Sequence, residues 1–548
     1  MNKNKSDDTF IHPARLTKDL IEKADNGDYL ASIEMANKYE KGIHVKKDAV
    51  KAKYYFEQVI ASVEHFKLVM EKLSLSQFRQ FEKISVEFEP QVTVLVGDNG
   101  SGKSTIIDAI AKSLKYLSAT ITKENSPRST LDDRDINVDE SADIATVINL
   151  LAVENGQCFE HTLSKGKRSK GDSNHTAITI LGDIYRDFDR INNQSNLPVI
   201  AYYSIDRANE IATDVSKTAE KKADKLSWSK CDGYTDALKN AQNFTNFLAW
   251  FILCDKTAKQ AEVPQARIKK LNDELKDIDE EILKASGDLL AYLDNDRQKK
   301  QKEISELESS VANSEAGLSL NMITQVISAI CTFIPEISSI SIVHANGGVD
   351  MKLEKSGVVI SVSQLSQGEK SLLALVGDLA KRMIMLNPSR DNPFDGNGIV
   401  LIDEIDLHLH PSWQQQVVNK LITTFKNIQF ILTTHSPQVL STVHKHNIRV
   451  LGKNIYDDAV AAIPLAESYG HPNSDVMHAI MGVAATPIIA ESGILDIYRT
   501  LIEQGDLESM EIINQIDDLQ SQLSAVLGEQ HPDMIKLAMV KRRREVLG

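Results

Sequence analysis

The 548-residue sequence has little cysteine and no long apolar segment. Its four cysteines stand apart, without a CxxC pair, which argues against a disulfide framework and against a zinc site. No apolar run approaches the roughly 20 residues that a membrane-spanning helix requires. The polar residues 1–5 lack the apolar core of a secretion signal. We therefore expect a cytoplasmic protein that binds no membrane.

The sequence is acidic overall, and its length requires several structural units. A formal net charge of −15 argues against nonspecific nucleic-acid affinity over the whole surface, although it leaves room for a local basic groove. One basic run, residues 541–544, is interpreted as a solvated helix face rather than as phosphate contacts. Because a single core stops growing near about 250 to 300 residues, roughly two to four units are expected.

The most informative motif is a glycine-rich turn between an apolar strand and an apolar helix. Its central residues are Asn99, Gly100, Ser101, Gly102, Lys103, Ser104 and Thr105. Such a turn lets backbone N–H groups converge on nucleotide phosphates, while Lys103 reaches the β and γ oxygens and Ser104 holds Mg²⁺. The motif predicts binding of a nucleoside triphosphate. A glycine turn without a ligand is the alternative, and the strand–turn–helix context disfavours it.

A second apolar strand, residues 397–402, ends in two carboxylates, Asp403 and Glu404. Beside a phosphate-binding loop, Asp403 is placed to hold Mg²⁺ through its waters, and Glu404 to polarise the attacking water as general base. Taken alone, the segment would also fit a strand end that happens to be acidic. Together with the loop it predicts Mg²⁺-dependent hydrolysis of ATP with Glu404 as a catalytic residue.

Between these motifs, residues 365–371 read LSQGEKS and precede an apolar helix. The segment resembles the signature motif of ABC-type ATPases. The resemblance implies that Ser366 and Gly368, at a helix N-terminus, close over the γ-phosphate held by a second subunit. It therefore implies a homodimer with composite ATP sites. A helix cap without a ligand is the alternative.

Two further segments match the same family. Residues 430–436 form an apolar strand that ends in His435, which in the family is the catalytic switch that contacts the γ-phosphate and the water. Residues 75–81 resemble the opening strand of the RecF and SMC-like branch, which implies that Arg79 lies close to the nucleotide. No glutamine is assigned to the family's Q-loop.

The loop after Glu404 also resembles the RecF and SMC-like branch, where DE-x-x-x-H-L-H-P is common. Its two histidines, His408 and His410, stand two residues apart. A metal site is one interpretation of that spacing. Because the family places this loop at the dimer interface, we interpret both histidines as structural.

The spacing of the motifs predicts an α/β fold: an ABC-type ATPase head with a helical insertion. Apolar residues at three-four spacing over 268–282 and 304–311 predict two antiparallel helices, each about 30 to 40 Å long. Residues 24–55 resemble one Sel-like repeat, with an ordinary helical hairpin as the alternative. The expected regions are 1–67 (N-terminal helices with the repeat), 68–207 (ATPase lobe with Walker A), 208–320 (helical insertion), 321–460 (ATPase lobe with signature, Walker B and switch histidine) and 461–548 (C-terminal helical partner-docking region).

The tail carries no nuclease motif, and its residues 469–472 and 523–532 are similar to those of the PtuA-type ABC ATPases of Septu and retron-linked anti-phage systems. In that family the ATPase is paired with an HNH nuclease, PtuB, and the retron members associate with a reverse transcriptase and its multicopy single-stranded DNA. The resemblance implies a homodimeric ATPase that senses nucleic acid and controls a separate nuclease. Two alternatives stay open: a stand-alone RecF/SMC-like DNA repair ATPase, and a scaffold that holds ATP but hardly hydrolyses it.

Overall fold

The computed structural model describes fourteen stretches of the chain, which fall into two compact units, residues 1–481 and 482–548. The described residues are 13–26, 28–63, 67–124, 131–137, 144–152, 158–167, 171–191, 195–205, 215–223, 229–239, 243–345, 348–483, 489–505 and 509–547. The expected boundary at 207/208 lies outside them.

The described residues form thirteen strands and seventeen α-helices. The strands are β1 (Val69–Phe78), β2 (Phe81–Glu87), β3 (Val92–Val96), β4 (Ile144–Ala152), β5 (Cys158–Gly166), β6 (Val199–Tyr203), β7 (Ile337–Ala345), β8 (Gly348–Lys355), β9 (Val358–Ser361), β10 (Asn397–Ile402), β11 (Asn427–Thr433), β12 (Ile448–Lys453) and β13 (Ala459–Ala462). The helices are α1 (Pro13–Asp25), α2 (Tyr29–Lys41), α3 (Ala49–Val63), α4 (Lys103–Thr122), α5 (Thr176–Ile191), α6 (Val215–Ala223), α7 (Asn243–Ala258), α8 (Glu262–Ile282), α9 (Asp288–Ala312), α10 (Glu315–Phe333), α11 (Gln367–Leu386), α12 (Pro411–Thr424), α13 (Pro437–Leu440), α14 (Asn473–Ala479), α15 (Ser492–Gln504), α16 (Met510–Leu527) and α17 (Pro532–Leu547).

The centre of the first unit is a six-stranded sheet in the order β13-β12-β3-β11-β10-β6, with all strands parallel except β13. Strands β3 and β6 are buried along their whole length and β10 over all but its first residue, as expected when a parallel sheet is covered on both faces. Because carboxyl ends of parallel strands meet at one edge, the segments that follow β3, β11, β10 and β6 lie side by side.

A four-stranded antiparallel sheet, β2-β1-β4-β5, packs beside the central sheet. Gln429, fully buried on β11, joins the two sheets. Its side-chain carbonyl accepts the N–H of Met70 at 2.7 Å, and its amide donates to the carbonyls of Met70 and Glu89 at 2.9 and 2.8 Å. The amide therefore satisfies backbone groups that would otherwise be buried without partners.

The N-terminal helices α1 to α3 have a small apolar cluster of their own, which includes Met35 and the stacked rings of Tyr39 and Tyr55. Asp28 caps α2, because its carboxylate accepts the N–H of Ala31 at 3.0 Å. This cluster is distinct from the main core of the first unit.

Helices α8 and α9 form an arm whose seam buries Leu271, Ile278, Leu293 and Ile304. At 1.5 Å per residue the two helices measure about 30 and 37 Å. Half-exposed ion pairs such as Arg267–Glu303, at 2.8 Å, cross the arm. Pairs of that kind add little stability, so the apolar seam holds the two helices together.

Among the described helices, α10 is long and apolar enough to cross a membrane by length and composition. This corrects the expectation that no apolar run approaches that length. Its buried residues recur at three-four spacing from Ala316 to Phe333, and the apolar ones from Ile323 onward lie in the main core against α7 and α11. The helix is therefore explained by packing in a protein core.

Residues 461–481 belong to the first unit, whereas the sequence predicts a C-terminal region from residue 461. The Ser468 hydroxyl donates to the carbonyl of Val443, and the N–H of Gly470 donates to the carbonyl of Ser441 at 2.8 Å. These bonds fix the segment to the loop after α13, which a sequence pattern does not reveal.

The second unit contains α15, α16 and α17 around a core that includes Tyr498, Ile516 and Leu537. Two members of the basic run have structural partners. Arg544 donates to the carbonyl of Ile502 at 2.7 Å, and Lys541 pairs with Asp517 at 2.9 Å.

A pair of histidines, the buried His161 of β5 and the half-buried His175 just before α5, lies beside the helix α4. The Nδ1 of His161 is 2.5 Å from the Ser113 hydroxyl, and its Nε2 is 2.9 Å from Nδ1 of His175. Burial, helped by the charge of His175, lowers the pKa of His161 to about 3. His161 is therefore neutral in the folded protein near neutral pH.

We expect this histidine to make the fold sensitive to acid. Between an unfolded pKa of about 6.5 and the folded value near 3, only the unfolded chain binds the proton, so the free energy of unfolding should fall as pH drops through that window. His161→Gln, which does not titrate, should flatten this slope, whereas His446→Gln at an exposed position should not. Denaturant unfolding measured from about pH 7 to pH 4 checks this. Equal slopes in the protein and His161→Gln would contradict it.

Candidate nucleotide-binding site

The loop between β3 and α4 has the shape of a cradle at the carboxyl edge of the central sheet. Gly100 and Gly102 adopt φ values of 80° and 99°, which residues with a Cβ rarely adopt. A Cβ on Gly102 would lie 2.2 Å from the ring of Phe81, whereas a Cβ on Gly100 would meet open space. The glycines are thus required by backbone conformation and close approach.

Lys103, the first residue of α4, is buried and folds back over this loop. Its Nζ donates to the carbonyls of Gly97 and Asp98 at 2.8 and 2.9 Å. The hydroxyl of Ser101 is buried in the loop with no hydrogen-bond partner among the residues that the structure describes, and Ser104 is exposed. Buried polar groups are normally paired, so the Ser101 hydroxyl marks a place where a polar ligand would be accommodated.

The electrostatic surroundings of Lys103 are rich in carboxylates. Burial lowers the pKa of the ammonium, and the charges of Asp403, Glu404, Asp98 and Asp406 oppose that shift. One cation therefore stands among four carboxylates, an excess of negative charge that suits a divalent cation.

The ends of β10 and β11 are joined by Thr433. Its hydroxyl donates to a carboxylate oxygen of the buried Asp403 at 2.5 Å and accepts the N–H of Glu404 at 2.7 Å. Glu404 has a φ of 45°, a costly left-handed conformation for a residue with a side chain. The two hydrogen bonds to Thr433 hold the carboxylate pair in place despite that cost.

Asp406 holds the segment that carries His435. Its carboxylate accepts the hydroxyl of Thr434 at 2.5 Å and the N–H of His435 at 3.4 Å. The N–H of Thr434 in turn donates to the carbonyl of Leu95, the residue before the last of β3. The structure thus brings the cradle, Asp403, Glu404 and the backbone of His435 together at one edge of the sheet.

The segment expected to be a signature motif begins helix α11. Ser366 is its exposed N-cap: its hydroxyl and N–H both donate to the Glu369 carboxylate, at 2.7 and 2.9 Å, and the other carboxylate oxygen pairs with Lys355 of β8. Burial disfavours the charged form of Glu369, but hydrogen bonds from Lys355 and Ser366 outweigh it and lower its pKa. In the described part of the chain, the side chain of Ser366 bonds Glu369 and not the cradle.

Gly368 lies against the loop that follows Asp403 and Glu404. A Cβ added to it would come within 2.5 Å of the carbonyl oxygen of His408. The start of α11 and the loop 405–410 therefore form one surface of the same chain, with Ser366 exposed at its rim.

Arg79 is held by two carboxylates. Its guanidinium bonds Asp108 on α4 at 2.8 Å and Asp135 at 3.1 Å, and its backbone is left-handed, with φ 48°. The hydroxyl of Tyr202, near the end of β6, donates to the other oxygen of Asp108 at 3.3 Å. Arg79 is thus connected through Asp108 to α4, the helix that follows the cradle.

His408 and His410 are exposed, and the described residues contain no group of three or more histidine, cysteine, aspartate or glutamate side chains that could hold a metal ion. The Nδ1 of His410 accepts the N–H of Ser412 and so caps α12. This contact accounts for His410 as a structural residue.

Sequence reasoning missed three residues of the site: Thr433, Asp406 and Gln80. Thr433 and Asp406 adjoin predicted strand ends, and polar residues there are a usable signal. Gln80 accepts the Thr105 hydroxyl at 3.1 Å and touches Gly102, so it is a glutamine at the cradle. No sequence pattern gives this contact, because it depends on how the turn between β1 and β2 packs.

The chain matches the family model described as AAA ATPase domain over residues 70–440. It is 34% identical over 504 residues to the Retron Vc95 probable ATPase of Vibrio cholerae serotype O1 biovar El Tor, covering 90% of this chain and 94% of that protein. It is 34% identical to the Retron Ec83 probable ATPase of Escherichia coli, covering 80% and 82%. A shorter match, 44% identical over 93 residues, is to the Septu protein PtuA of Bacillus mycoides (strain KBAB4), covering 17% of this chain and 13% of PtuA.

The matched region contains four of the six central strands (β3, β6, β10 and β11), the cradle, the start of α11 and the strand ends with Asp403 and His435. The predicted α/β ATPase head and the predicted kinship to the retron and Septu ATPases are confirmed. The chain is an ATPase that belongs to the AAA ATPase domain family and to the family of the retron ATPases.

Proposed function

We propose that this ATPase is a subunit of a cytoplasmic anti-phage defence complex, in which two copies close on ATP and control a separate HNH nuclease. The observation that supports it most is that one chain carries both the candidate residues for hydrolysis, at the carboxyl edge of the central sheet, and an exposed Ser366. Because Ser366 is exposed at the start of α11 and its side chain bonds Glu369 rather than the cradle of its own chain, we infer that it serves the site of a second copy.

ATP would be held by residues 97–105, with Lys103 on the β and γ oxygens. The open space at Gly100 and the unpaired Ser101 hydroxyl support that fit. Ser104 and Asp403 would hold Mg²⁺, and the excess of carboxylates around Lys103 supports a divalent cation. When bound, Mg²⁺ supplies positive charge that stabilises the transferred phosphoryl group.

Glu404 would act as general base and His435 would orient the water and the γ-phosphate. Thr433 accepts the backbone N–H of Glu404, and Asp406 accepts that of His435. Both backbones are therefore held in place before the reaction, which is the preorganisation that such chemistry needs. Arg79 would lie close to the nucleotide, since the turn that carries it touches the cradle through Phe81.

A mixed-dimer experiment tests the composite site. Copies with Lys103→Ala should be inactive and copies with Ser366→Ala should keep only a residual rate, but mixing them should restore about one quarter of the ATP hydrolysis, because one intact site forms in each mixed dimer. The control mixes Lys103→Ala with Glu404→Gln, two residues of the same half-site, and should restore nothing. Failure of the first mixture to exceed the control would refute the composite site.

Glu404→Gln should keep ATP binding but lose hydrolysis by at least about 100-fold, since a glutamine cannot take the proton of the attacking water. The variant should therefore accumulate as an ATP-bound dimer, visible as a doubled native mass. Turnover and native mass measured on the same sample check this. Unchanged turnover would remove the role proposed for Glu404.

The proposed partner is a PtuB-like HNH nuclease, with a reverse transcriptase and its multicopy single-stranded DNA as further members of the complex. The names of the similar proteins, retron ATPases and a Septu PtuA, support this context. The region from residue 461 is proposed to dock the partner. Exposed apolar side chains on the helices of the second unit support it, among them Met510, Val526, Met539 and Val546.

Co-purification separates this function from a stand-alone RecF/SMC-like repair ATPase. The chain expressed with its neighbouring genes should hold a stoichiometric nuclease subunit, read from the native mass of the complex and from nuclease activity. A homodimer that recovers no nuclease would favour the repair ATPase.

A further inference from the structure

Four buried polar side chains lie beneath the site and have no part in the chemistry described above. They are Tyr203, Asp378, Lys381 and Arg382, each at most 4% exposed. Asp378 is the hub: its carboxylate accepts bonds from Tyr203 Oη at 3.0 Å, Lys381 Nζ at 2.7 Å and Arg382 Nε at 2.6 Å.

Asp378 stays ionised in this interior. Burial disfavours its charged form, but the charges of Arg382 and Lys381 outweigh that effect and hold the pKa of Asp378 below its usual value. A buried carboxylate with three donors is held in one geometry, since loss of any donor leaves charge uncompensated. Such a centre keeps the elements that supply the donors in fixed register.

The first of those elements is the helix that begins at the signature segment. Asp378 stands on α11, which is capped by Ser366 and carries Gly368 in its first turn. Twelve residues of helix separate Ser366 from Asp378, about 18 Å. If the helix moves as a rigid body, a displacement of its N-terminus also displaces Asp378.

The second element is β6, which ends at Tyr203. The hydroxyl of Tyr203 donates to Asp378, and the backbone carbonyl of Tyr203 accepts the N–H of Asp403 at 2.9 Å. The pairing of Ile402 with Tyr203 continues this contact into the sheet. One residue therefore bonds both the signature helix and the proposed Mg²⁺ ligand.

A third contact keeps the register of α11 against its surroundings. Arg382 donates through Nη1 to the carbonyl of Gly233 at 2.6 Å and to that of Thr235 at 3.2 Å. The N–H of Tyr202 donates to the carbonyl of Ala237 at 2.7 Å. The segment 233–237 thus joins α11 to β6 from the other side.

We propose that Tyr203 and Asp378 are positioning residues that couple α11 to Asp403, so that engagement of Ser366 and Gly368 by nucleotide on a second copy sets the position of the Asp403 carboxylate. The proposal rests on the composite ATP site proposed above. It assigns to this buried cluster a role in turnover that is separate from nucleotide binding.

Tyr203→Phe is the decisive variant, because it removes one hydroxyl and leaves Asp378 with its two cationic partners. We expect kcat for ATP to fall about tenfold while KM and the melting temperature change little. The matched control is Tyr55→Phe, which removes the bond from another buried tyrosine hydroxyl to a carboxylate, that of Asp25 at 3.1 Å, in the separate cluster of the N-terminal helices. Its kcat should equal that of the unmodified chain.

A double variant distinguishes coupling from general weakening of the fold. In a Ser366→Ala chain the signature helix is no longer engaged, so adding Tyr203→Phe should lower kcat by less than about twofold further. If Tyr203→Phe lowers kcat by the same factor in both backgrounds, or not at all in the unmodified chain, the coupling is refuted. Failure of the mixed-dimer restoration would instead refute the composite site itself, so the two failures are distinguishable.

Discussion

The site depends on one constraint, the convergence of parallel strand ends at a single edge of a sheet covered on both faces. Since β3, β11, β10 and β6 are adjacent, residues separated by more than 300 positions in the chain become neighbours. The cradle, the Asp403–Glu404 pair and the His435 segment are consequences of that order. Gln429 joins the central sheet to the antiparallel one, whose turn with Arg79 and Phe81 lies beside the cradle.

Within that edge, a few hydrogen bonds determine the chemistry that the chain can support. Thr433 bonds both Asp403 and Glu404, and Asp406 bonds Thr434 and His435, the two residues that follow β11. The left-handed backbone of Glu404 is maintained by these contacts, which is typical of strain at functional positions. The start of α11 is organised differently, because Ser366, Glu369 and Lys355 form a self-contained group at an exposed rim.

The sequence predicted the parts of the site that follow from local rules. A glycine-rich turn after one buried strand and carboxylates after another indicate where the nucleotide site lies and what chemistry it supports. The order of the motifs indicated kinship to a family. Contacts that depend on packing could not be predicted in this way. Gln80 at the cradle, Asp135 on Arg79 and the Tyr203–Asp378 bond join segments with no common pattern. The apolar helix α10 and the placement of residues 461–481 show the same limit, because composition and spacing do not say which neighbour an element packs against.

Chemical crosslinking between copies tests the central claim, that the hydrolytic edge of one chain is completed by Ser366 of another. A chain with Cys158 replaced by Ser would carry either Asn99→Cys or Ser366→Cys, both at exposed positions, in a Glu404→Gln background. With a short bismaleimide, the mixture of the two chains should give a crosslinked dimer in ATP and almost none without nucleotide, while neither chain alone should. The account would be contradicted if the mixture formed no ATP-dependent dimer, or if a chain carrying both cysteines crosslinked only within itself.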